Sequence, residues 1–336
     1  MGGAAVVFRH ARALAQRGHR VSILGPRVQG GAWSAARYGL VVVRDALHRV
    51  TGASPFEAGD VEVMEPWNLD GECLGPFDAV IATGHQTVEP VVQHSGTKGF
   101  YFIQGDERAL SKSAGETWNA PLARITVSEW LRQLLERRGI RVAGVVPNAI
   151  DPAEFGLDAP LEGRPKRIVA LYHRHPVKGP SVLIDALKRI KRKLPECQAT
   201  LVAARPPSHR LPRWVSVEVR PTQKRLRQLC NASSVCLHTS QREGWGLFPM
   251  EAAACGAAVT STASLGTREY LTDGSSMLEV PVGDVGALVA RSVELLLDDE
   301  RRINLARHAL EDVGRFSWER STDVLEDVLI TQLHLG

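Results

Sequence analysis

The stretch Arg242-Glu243-Gly244-Trp245-Gly246-Leu247-Phe248-Pro249-Met250-Glu251-Ala252 follows a short apolar strand pattern and runs into a helix pattern. Glu243 lies in the loop, and Glu251 lies eight positions later inside the helix. Gly244 and Gly246 let backbone N–H groups approach a ligand closely, and the positive N-terminal end of the helix suits a diphosphate. A carboxylate can accept hydrogen bonds from two neighbouring sugar hydroxyls, and each hydrogen bond to a charged group contributes about 1.5–3 kcal/mol. The stretch therefore predicts binding of a diphosphate and of sugar hydroxyls.

Strands alternate with helices on both sides of this stretch, which predicts two parallel, doubly wound α/β sheets. A segment rich in proline and glycine with few apolar residues, 158–167, predicts a linker between the two halves. The predicted strands are 21–24, 77–83, 99–103, 125–128, 168–171, 199–203, 215–219, 235–237 and 258–262, and the helices between them include 129–138, 181–193, 223–230 and 248–254.

Composition is that of a soluble globular protein: of 336 residues, 44% are hydrophobic and 23% are charged. The net charge of +4 is too small to argue for nucleic acid as a partner. Five cysteines are scattered without zinc-site spacing, which indicates free thiols in a reducing cytoplasm. No apolar stretch reaches the roughly 18 residues that span a bilayer. We therefore expect a cytoplasmic protein. Peripheral contact with the inner membrane face is compatible with this expectation.

The chain opens with Met1-Gly2-Gly3-Ala4, which predicts a glycine-rich loop, followed by a helix that ends near Gly18. No strand precedes this loop. We therefore predict that the first sheet lacks the strand that should lead into it, a central one.

The order of these features resembles the family-4 retaining glycosyltransferases, whose signature is an acid, seven residues and an acid. Further landmarks follow the family order from Gly2 to Trp318. They are Ser128-Glu129-Trp130-Leu131, Val146-Pro147-Asn148-Ala149-Ile150-Asp151, Glu251-Ala252-Ala253-Ala254-Cys255-Gly256 and Gly266-Thr267-Arg268-Glu269-Tyr270. The resemblance implies a GT-B fold, in which two Rossmann-like domains face a cleft. It assigns residues 1–157 to the acceptor-side domain, 158–315 to the domain that binds the nucleotide sugar, and 316–336 to a helix that crosses back.

The resemblance also implies which residues act on the donor. Glu243 would orient the donor sugar, while Lys178 and an arginine would neutralise the leaving diphosphate, a contribution worth about 10²–10³ in rate. Arg174 lies four residues before Lys178, whereas the family spacing is five. Either Arg174 or His173 could therefore occupy the arginine position.

Further contacts are implied on both sides of the cleft. For Glu269 the alternative to donor binding is capping of a following helix. For His85 the alternative to contact with the acceptor or sugar is a structural role. Gln104 stands where the family often carries histidine, so no catalytic base is assigned. The residues implied for donor binding are Glu251, Trp245, Gly246, Leu247, Gly2, Gly3 and Glu269, and those implied for acceptor or sugar contact, at the carboxyl ends of strands, are His85 and Gln104.

The implied reaction is retaining transfer of a sugar from a nucleoside diphosphate to a glycan, lipid-linked or small-molecule hydroxyl. The aromatic stretch Phe100-Tyr101-Phe102-Ile103-Gln104 resembles transferases of bacterial surface polysaccharide synthesis. No metal or other cofactor is expected, because cationic side chains and a helix end balance the diphosphate. A nicotinamide-dependent dehydrogenase is disfavoured, since Gly244-Trp245-Gly246 lacks the third glycine of its fingerprint. A catalytically inactive nucleotide-sugar-binding protein remains the alternative.

Overall fold

The computed structural model describes residues 2–24, 40–44, 61–64, 77–93, 98–109, 112–207 and 211–334. The chain divides into two compact units. The first contains Met1–Asn148 and Trp318–Gly336, and the second contains Ala149–Ser317.

Among the described residues, the first unit has a seven-stranded sheet in the order β3-β1-β2-β4-β5-β6-β7. Its strands are β1 (Arg20–Leu24), β2 (Leu40–Arg44), β3 (Glu62–Met64), β4 (Ala79–Ala82), β5 (Lys98–Ile103), β6 (Ala123–Thr126) and β7 (Gly144–Val145). Its first helices are α1 (Gly2–Gln16), α2 (Val88–Gln93), α3 (Lys112–Glu116) and α4 (Glu129–Glu136).

The expectation of a wholly parallel first sheet with a vacant central position is wrong. β2 lies between β1 and β4 and pairs antiparallel with both of them. The remaining neighbours are parallel. Because an antiparallel strand can satisfy the backbone groups of two neighbours, the sheet continues from β1 to β4 and is mixed.

The predicted glycine-rich loop at the start of the chain is also corrected. Gly2 and Gly3 form the first turn of α1, which buries Val6 and Leu14 on its apolar face. A Cβ atom at Gly3 would lie 3.1 Å from Gln104 Oε1, so the glycine allows close approach there. The helix ends as predicted at Gly18, whose φ is 95°.

The second unit contains a six-stranded sheet, within the described residues, in the order β10-β9-β8-β11-β12-β13. Every neighbouring pair is parallel, as predicted. The strands are β8 (Arg167–Tyr172), β9 (Gln198–Ala203), β10 (Val215–Val219), β11 (Val235–His238), β12 (Ala258–Thr262) and β13 (Met277–Val280). The helices are α5 (Pro180–Lys193), α6 (Gln223–Asn231), α7 (Leu247–Ala254), α8 (Val285–Leu297) and α9 (Asp299–Gly314).

The direction of winding reverses between β8 and β11. From β8 the chain proceeds outward through β9 and β10, whereas from β11 it proceeds the other way through β12 and β13. In open parallel sheets, ligands bind at the carboxyl ends of the two strands that flank such a switch point. The loops after Tyr172 and His238 are therefore the positions where a site is expected.

The segment predicted as a linker packs within the second unit, which begins at Ala149 instead of at residue 158. Arg227 donates to Asp158 Oδ2 (2.7 Å) and to the Ala153 carbonyl (2.7 Å). The buried guanidinium of Arg164 donates to the carbonyls of Ser233 (3.0 Å) and Cys255 (2.9 Å). These hydrogen bonds fix residues 149–167 to the loops and helices around the second sheet.

The last helix, α10 (Trp318–His334), belongs to the first unit. Glu326 accepts a hydrogen bond from Arg17 (2.6 Å), and Thr322 Oγ1 lies 3.2 Å from Nδ1 of His10 on α1. Side-chain contacts of this kind attach α10 to α1.

Candidate functional site

The loop after β8 carries Lys178 at the end of a one-turn helix, Pro176–Lys178. Gly179 follows in the left-handed conformation, with φ of 63°. A Cβ atom there would lie 2.2 Å from the carbonyl oxygen of Thr239, in the loop after β11. The Thr239 hydroxyl in turn donates to the carbonyl of Lys178 (3.0 Å). Glycine is therefore required, because the two loops meet backbone to backbone.

Lys178 and Glu243 meet where these two loops approach. The ammonium group of Lys178 lies 2.7 Å from each carboxylate oxygen of Glu243, and the Ser240 hydroxyl donates to Glu243 Oε1 at 2.6 Å. The side chain of Glu243 is 11% exposed, whereas that of Lys178 is 29% exposed. Burial alone would raise the pKa of the Glu243 carboxyl, but Lys178, His238 and the hydrogen bonds together lower it. The site thus contains an ionised carboxylate whose counter-ion faces solvent.

The backbone between Glu243 and α7 is held by the neighbouring loop 264–270. Glu243 N–H donates to the Ser264 carbonyl (2.9 Å), and the Tyr270 hydroxyl donates to the Gly246 carbonyl (2.5 Å). Leu265 is one of two non-glycine residues with positive φ in the described part of the chain, at 71°. Backbone strain of this kind persists where surrounding contacts over-determine it. The turn that precedes α7 is therefore held by hydrogen bonds to the loop 264–270.

The side chain of Trp245 is part of the core. It is 3% exposed, stacks on Tyr270 at 5.4 Å between ring centroids, and meets Phe316 edge to face at 5.3 Å. Its indole nitrogen lies 3.2 Å from the sulfur of Met250. Of Trp245 only the backbone is left for a ligand, as it is for Gly246, whose φ of 88° begins the helix.

Glu251 and Glu269 lie on the elements that flank this turn. Glu251 is half-buried on α7. Burial of the Tyr270 phenol raises its pKa, and the charge of Glu251 adds to this effect. Glu269 is half-buried at the end of the short helix Gly266–Glu269. The next regular element is the strand β13, so the alternative that Glu269 caps a following helix is wrong.

Arg174 is not brought to the Lys178–Glu243 pair by any contact in the described residues. Its guanidinium donates to the carbonyl of Pro206 at 2.5 Å. Partial burial and then the charge of Lys178 lower the pKa of His173, while Glu243 raises it. Of the two alternatives for the second cation, His173 is thus electrostatically coupled to the pair.

The first unit has a separate polar cluster after β4 and β5. Glu107 is buried and accepts hydrogen bonds from the Tyr101 hydroxyl, from Trp118 Nε1 (3.3 Å) and from the backbone N–H of His85 (3.1 Å). Gln104 Nε2 donates weakly to the Thr83 carbonyl (3.5 Å), and its Oε1 is buried without a partner among the described residues. His85 and Gln104 therefore both lie at the carboxyl edge of the first sheet, as predicted.

Two polar residues beside Glu243 were not predicted from the sequence. They are Ser240, which donates a hydrogen bond to the carboxylate, and His238, whose Nε2 lies 3.9 Å from it. A signal was present for each: a polar residue at, or just beyond, the end of an apolar strand. Such residues collect at one edge of a parallel sheet.

Comparison with known proteins identifies the domain that holds this site. Residues 166–298 match the family described as glycosyl transferases group 1. The phosphatidyl-myo-inositol mannosyltransferase of Mycolicibacterium smegmatis is 27% identical over 93% of this chain and 85% of its own length. The D-inositol 3-phosphate glycosyltransferase of Saccharomonospora viridis is 32% identical over 46% of this chain and 40% of its own length. The chain thus spans less than half of this second relative.

Solved structures share the fold. Sucrose-phosphate synthase of Thermosynechococcus elongatus superposes with a TM-score of 0.73 over 97% of this chain and 92% of its own, at 17% identity. HepE of Anabaena, in complex with UDP-glucose, gives a TM-score of 0.68 over 81% of this chain and 86% of its own, at 18% identity. Residues 166–298 are thus similar to the group 1 glycosyltransferases, and the chain has the GT-B fold of two Rossmann-like domains.

Proposed function

We propose that this protein transfers a sugar from a nucleoside-diphosphate donor to a hydroxyl acceptor, with retention of configuration at the anomeric carbon. The observation that carries the proposal is the Lys178–Glu243 pair at the switch point of the second sheet. One member can neutralise a phosphate, and the other can accept hydrogen bonds from sugar hydroxyls.

The donor would bind to the second unit. Lys178 would stabilise the charge that develops on the departing diphosphate, together with His173 or Arg174, which precede it in the same loop after β8. The backbone N–H groups at Gly246 and Leu247 would bind phosphate oxygens. Glu251 would bind the ribose, and Glu243 the transferred sugar. HepE, which shares the fold, has been crystallised with UDP and with UDP-glucose.

The acceptor is proposed to be a glycan, lipid-linked or small-molecule hydroxyl that contacts His85 and Gln104 in the first unit. The relative from M. smegmatis is by name a phosphatidyl-myo-inositol mannosyltransferase, which favours a lipid-linked acceptor. Among the described residues, no helix has the length and apolar character to cross a bilayer. The proposal includes peripheral contact with a membrane that holds such an acceptor, and a role in bacterial surface polysaccharide synthesis.

The alternative is a protein that binds nucleotide sugars without turnover. The glutamine at position 104, where the family often carries histidine, supports this alternative. Turnover with a radiolabelled donor separates the two directly.

The first experiment is thermal unfolding in the presence of UDP, GDP, dTDP and ADP. A nucleotide at about 100 times its dissociation constant should add about 2.7 kcal/mol to the free energy of unfolding. We expect one nucleotide to raise the midpoint, and Glu251→Ala to abolish the shift. Turnover of the matching donor sugar, with the anomeric configuration of the product read by NMR, then tests transfer and retention. No stabilisation by any nucleotide and no turnover would overturn the proposal.

A further inference from the structure

A buried histidine lies directly beside Glu243, and the proposed function assigns no role to it. His238 is the last residue of β11, and it is 3% exposed. Its Nε2 atom lies 3.9 Å from Glu243 Oε1 and has no hydrogen-bond partner within the described part of the chain. A buried polar atom without a partner destabilises the folded state. The ring is therefore unfavourable here unless another state of the site supplies its hydrogen bond.

The present partners of Glu243 explain why that bond is not made. Lys178 contacts both carboxylate oxygens, and Ser240 donates to Oε1. A bound diphosphate, with its concentrated negative charge, would compete for the ammonium group of Lys178. Glu243 would then retain only Ser240 among these donors, and a buried carboxylate that loses its counter-ion is strongly unfavourable.

We propose that His238 is a positioning residue that replaces Lys178 as the partner of Glu243. When Lys178 turns to the donor diphosphate, the Nε2–H of His238 donates to Glu243 and holds the carboxylate towards the sugar hydroxyls. The contact needs to shorten by roughly 1 Å to reach hydrogen-bond distance. A neutral imidazole suffices, because the tautomer protonated at Nε2 is a donor. This inference rests on the proposed function.

The charges around His238 also favour a contact between His238 and Glu243 when the donor is bound. Burial lowers the pKa of His238 to about 4, with Glu243 raising it and Lys178 lowering it further. The charged groups that face the ring are thus Glu243 and Lys178, with the Ser240 hydroxyl beside them. Once a phosphate neutralises Lys178, its opposing effect on the ring is lost, while the attraction to Glu243 remains. Donor binding therefore strengthens the contact between His238 and Glu243.

Kinetics of two variants test this role. His238→Leu removes the N–H at similar volume, and His238→Gln keeps an N–H donor near the position of Nε2. Because hydrogen bonds to charged groups are the stronger ones, we expect His238→Leu to lower kcat about tenfold. It should also weaken the binding of free nucleoside diphosphate, since the diphosphate draws Lys178 away from Glu243 in that complex too. His238→Gln should recover most of the loss. A kcat for His238→Leu within about twofold of wild type would overturn the proposal.

His10→Leu is the matched control. His10 is also 3% exposed, and its Nε2 also has no hydrogen-bond partner in the portion of the chain that the structure describes. Its ring neighbours, however, are Phe102 and Trp318, and its Nδ1 contacts Thr322. Its replacement should change thermal stability without changing kcat below the unfolding transition. If kcat falls in His238→Leu but not in His10→Leu, the loss reflects the position of Glu243 and not a general effect of removing a buried imidazole.

A titration by NMR tests the same inference without depending on the folding of His238→Leu. The protein would be labelled with ¹³C at histidine Cε1, and the His238 signal would be assigned by its absence in His238→Gln. Lys178→Met frees Glu243 without any nucleotide, so the His238 ring should titrate at a higher pH in that variant than in wild type. Titration at the same pH in both proteins would overturn the proposal.

The tests distinguish this inference from the proposed function. If wild type binds no nucleotide and transfers no sugar, the proposed function fails. If wild type transfers sugar and loses activity in Lys178→Met and Glu243→Gln, but not in His238→Leu, the proposed function stands and only the role of His238 is wrong.

Discussion

The ammonium group of Lys178 lies 2.7 Å from both carboxylate oxygens of Glu243, across 65 residues of sequence. The residue proposed to bind the diphosphate and the residue proposed to bind the sugar thus neutralise each other in the absence of donor. A donor would have to exchange this internal ion pair for contacts of its own.

Exchange of the ion pair predicts opposite effects of two substitutions on nucleotide affinity. Glu243→Gln removes the charge that competes for Lys178, so the affinity for the free nucleoside diphosphate should rise by about threefold to tenfold. Lys178→Met should lower it by at least that factor. Isothermal titration with the nucleotide selected by thermal unfolding measures both.

Turnover should fall in both variants by at least about tenfold, which corresponds to about 1.4 kcal/mol of lost transition-state stabilisation. If Glu243→Gln and Lys178→Met weakened nucleotide binding equally, Lys178 would not be shared between Glu243 and the diphosphate.

Gly179→Ala should destabilise the second unit by about 3 kcal/mol or more. The left-handed conformation costs a non-glycine residue about 1–3 kcal/mol, and the new Cβ would lie 2.2 Å from the Thr239 carbonyl oxygen. Gly163→Ala is the control, because Gly163 has φ of 66° but nothing within 4 Å of its added Cβ. Urea unfolding should show a loss of about 1 kcal/mol there. Equal losses would mean that backbone conformation, not contact with Thr239, requires glycine at 179.

The stability of the protein should fall as the pH drops from about 6.5 towards 3. Burial and then Arg17 lower the pKa of His10 to about 3, so in this window the unfolded chain holds a proton that the folded chain excludes. The free energy of unfolding therefore decreases with falling pH, by at most about 1.4 kcal/mol per pH unit for one histidine. His238 acts with the same sign, its pKa being lowered to about 4.

His10→Gln should flatten this dependence, and urea unfolding at several pH values between 3 and 7 would show it. The exposed His308 provides the comparison, with His308→Gln expected to keep the wild-type slope. An unchanged slope in His10→Gln would mean that the buried ring gains its proton without unfolding.

Tyr270→Phe should weaken nucleotide binding severalfold and cost about 1 kcal/mol of stability. The substitution removes the hydrogen bond to the Gly246 carbonyl, whose net contribution is of that order, and keeps the ring stacked on Trp245. Titration calorimetry and urea unfolding measure the two effects. Unchanged nucleotide affinity despite lost stability would show that this hydrogen bond does not position the turn for phosphate.

Turnover should be insensitive to a metal chelator. Lys178 and the backbone N–H groups at the start of α7 are proposed to balance the diphosphate charge, so excess EDTA should change kcat by less than about twofold. Restoration of a chelator-suppressed rate by added Mg²⁺ or Mn²⁺ would contradict the proposed absence of a metal requirement.

Local patterning in the sequence was sufficient to predict most elements of the second unit, although not the edge strand β13. Apolar runs such as 168–171 and 235–237 became the central strands β8 and β11, because a strand buried on both faces must be apolar throughout. The sequence also showed the two glutamates, the glycine before α7 and the cationic loop. Their chemistry and spacing along the chain are local properties.

Other features depended on which segments became neighbours in space. The sequence predicted that the first sheet lacks a central strand, whereas the fold places β2 between β1 and β4. It also predicted a loop at Gly2 and Gly3, where the fold has a helical turn. Either a parallel or an antiparallel strand can satisfy the hydrogen-bonding groups at a sheet edge. The sequence of a single strand does not determine which of the two directions it takes.

The sequence by itself thus determined that the second unit is a parallel α/β sheet with Lys178 and Glu243 at its carboxyl edge. Only the tertiary structure decided that these two residues pair, that Arg174 contacts Pro206, and that Nε2 of His238 lies beside Glu243 with no hydrogen bond to any described residue. Burial periodicity is set by neighbours along the chain. A hydrogen bond between side chains is set by distances of a few tenths of an ångström across strands that are remote in sequence.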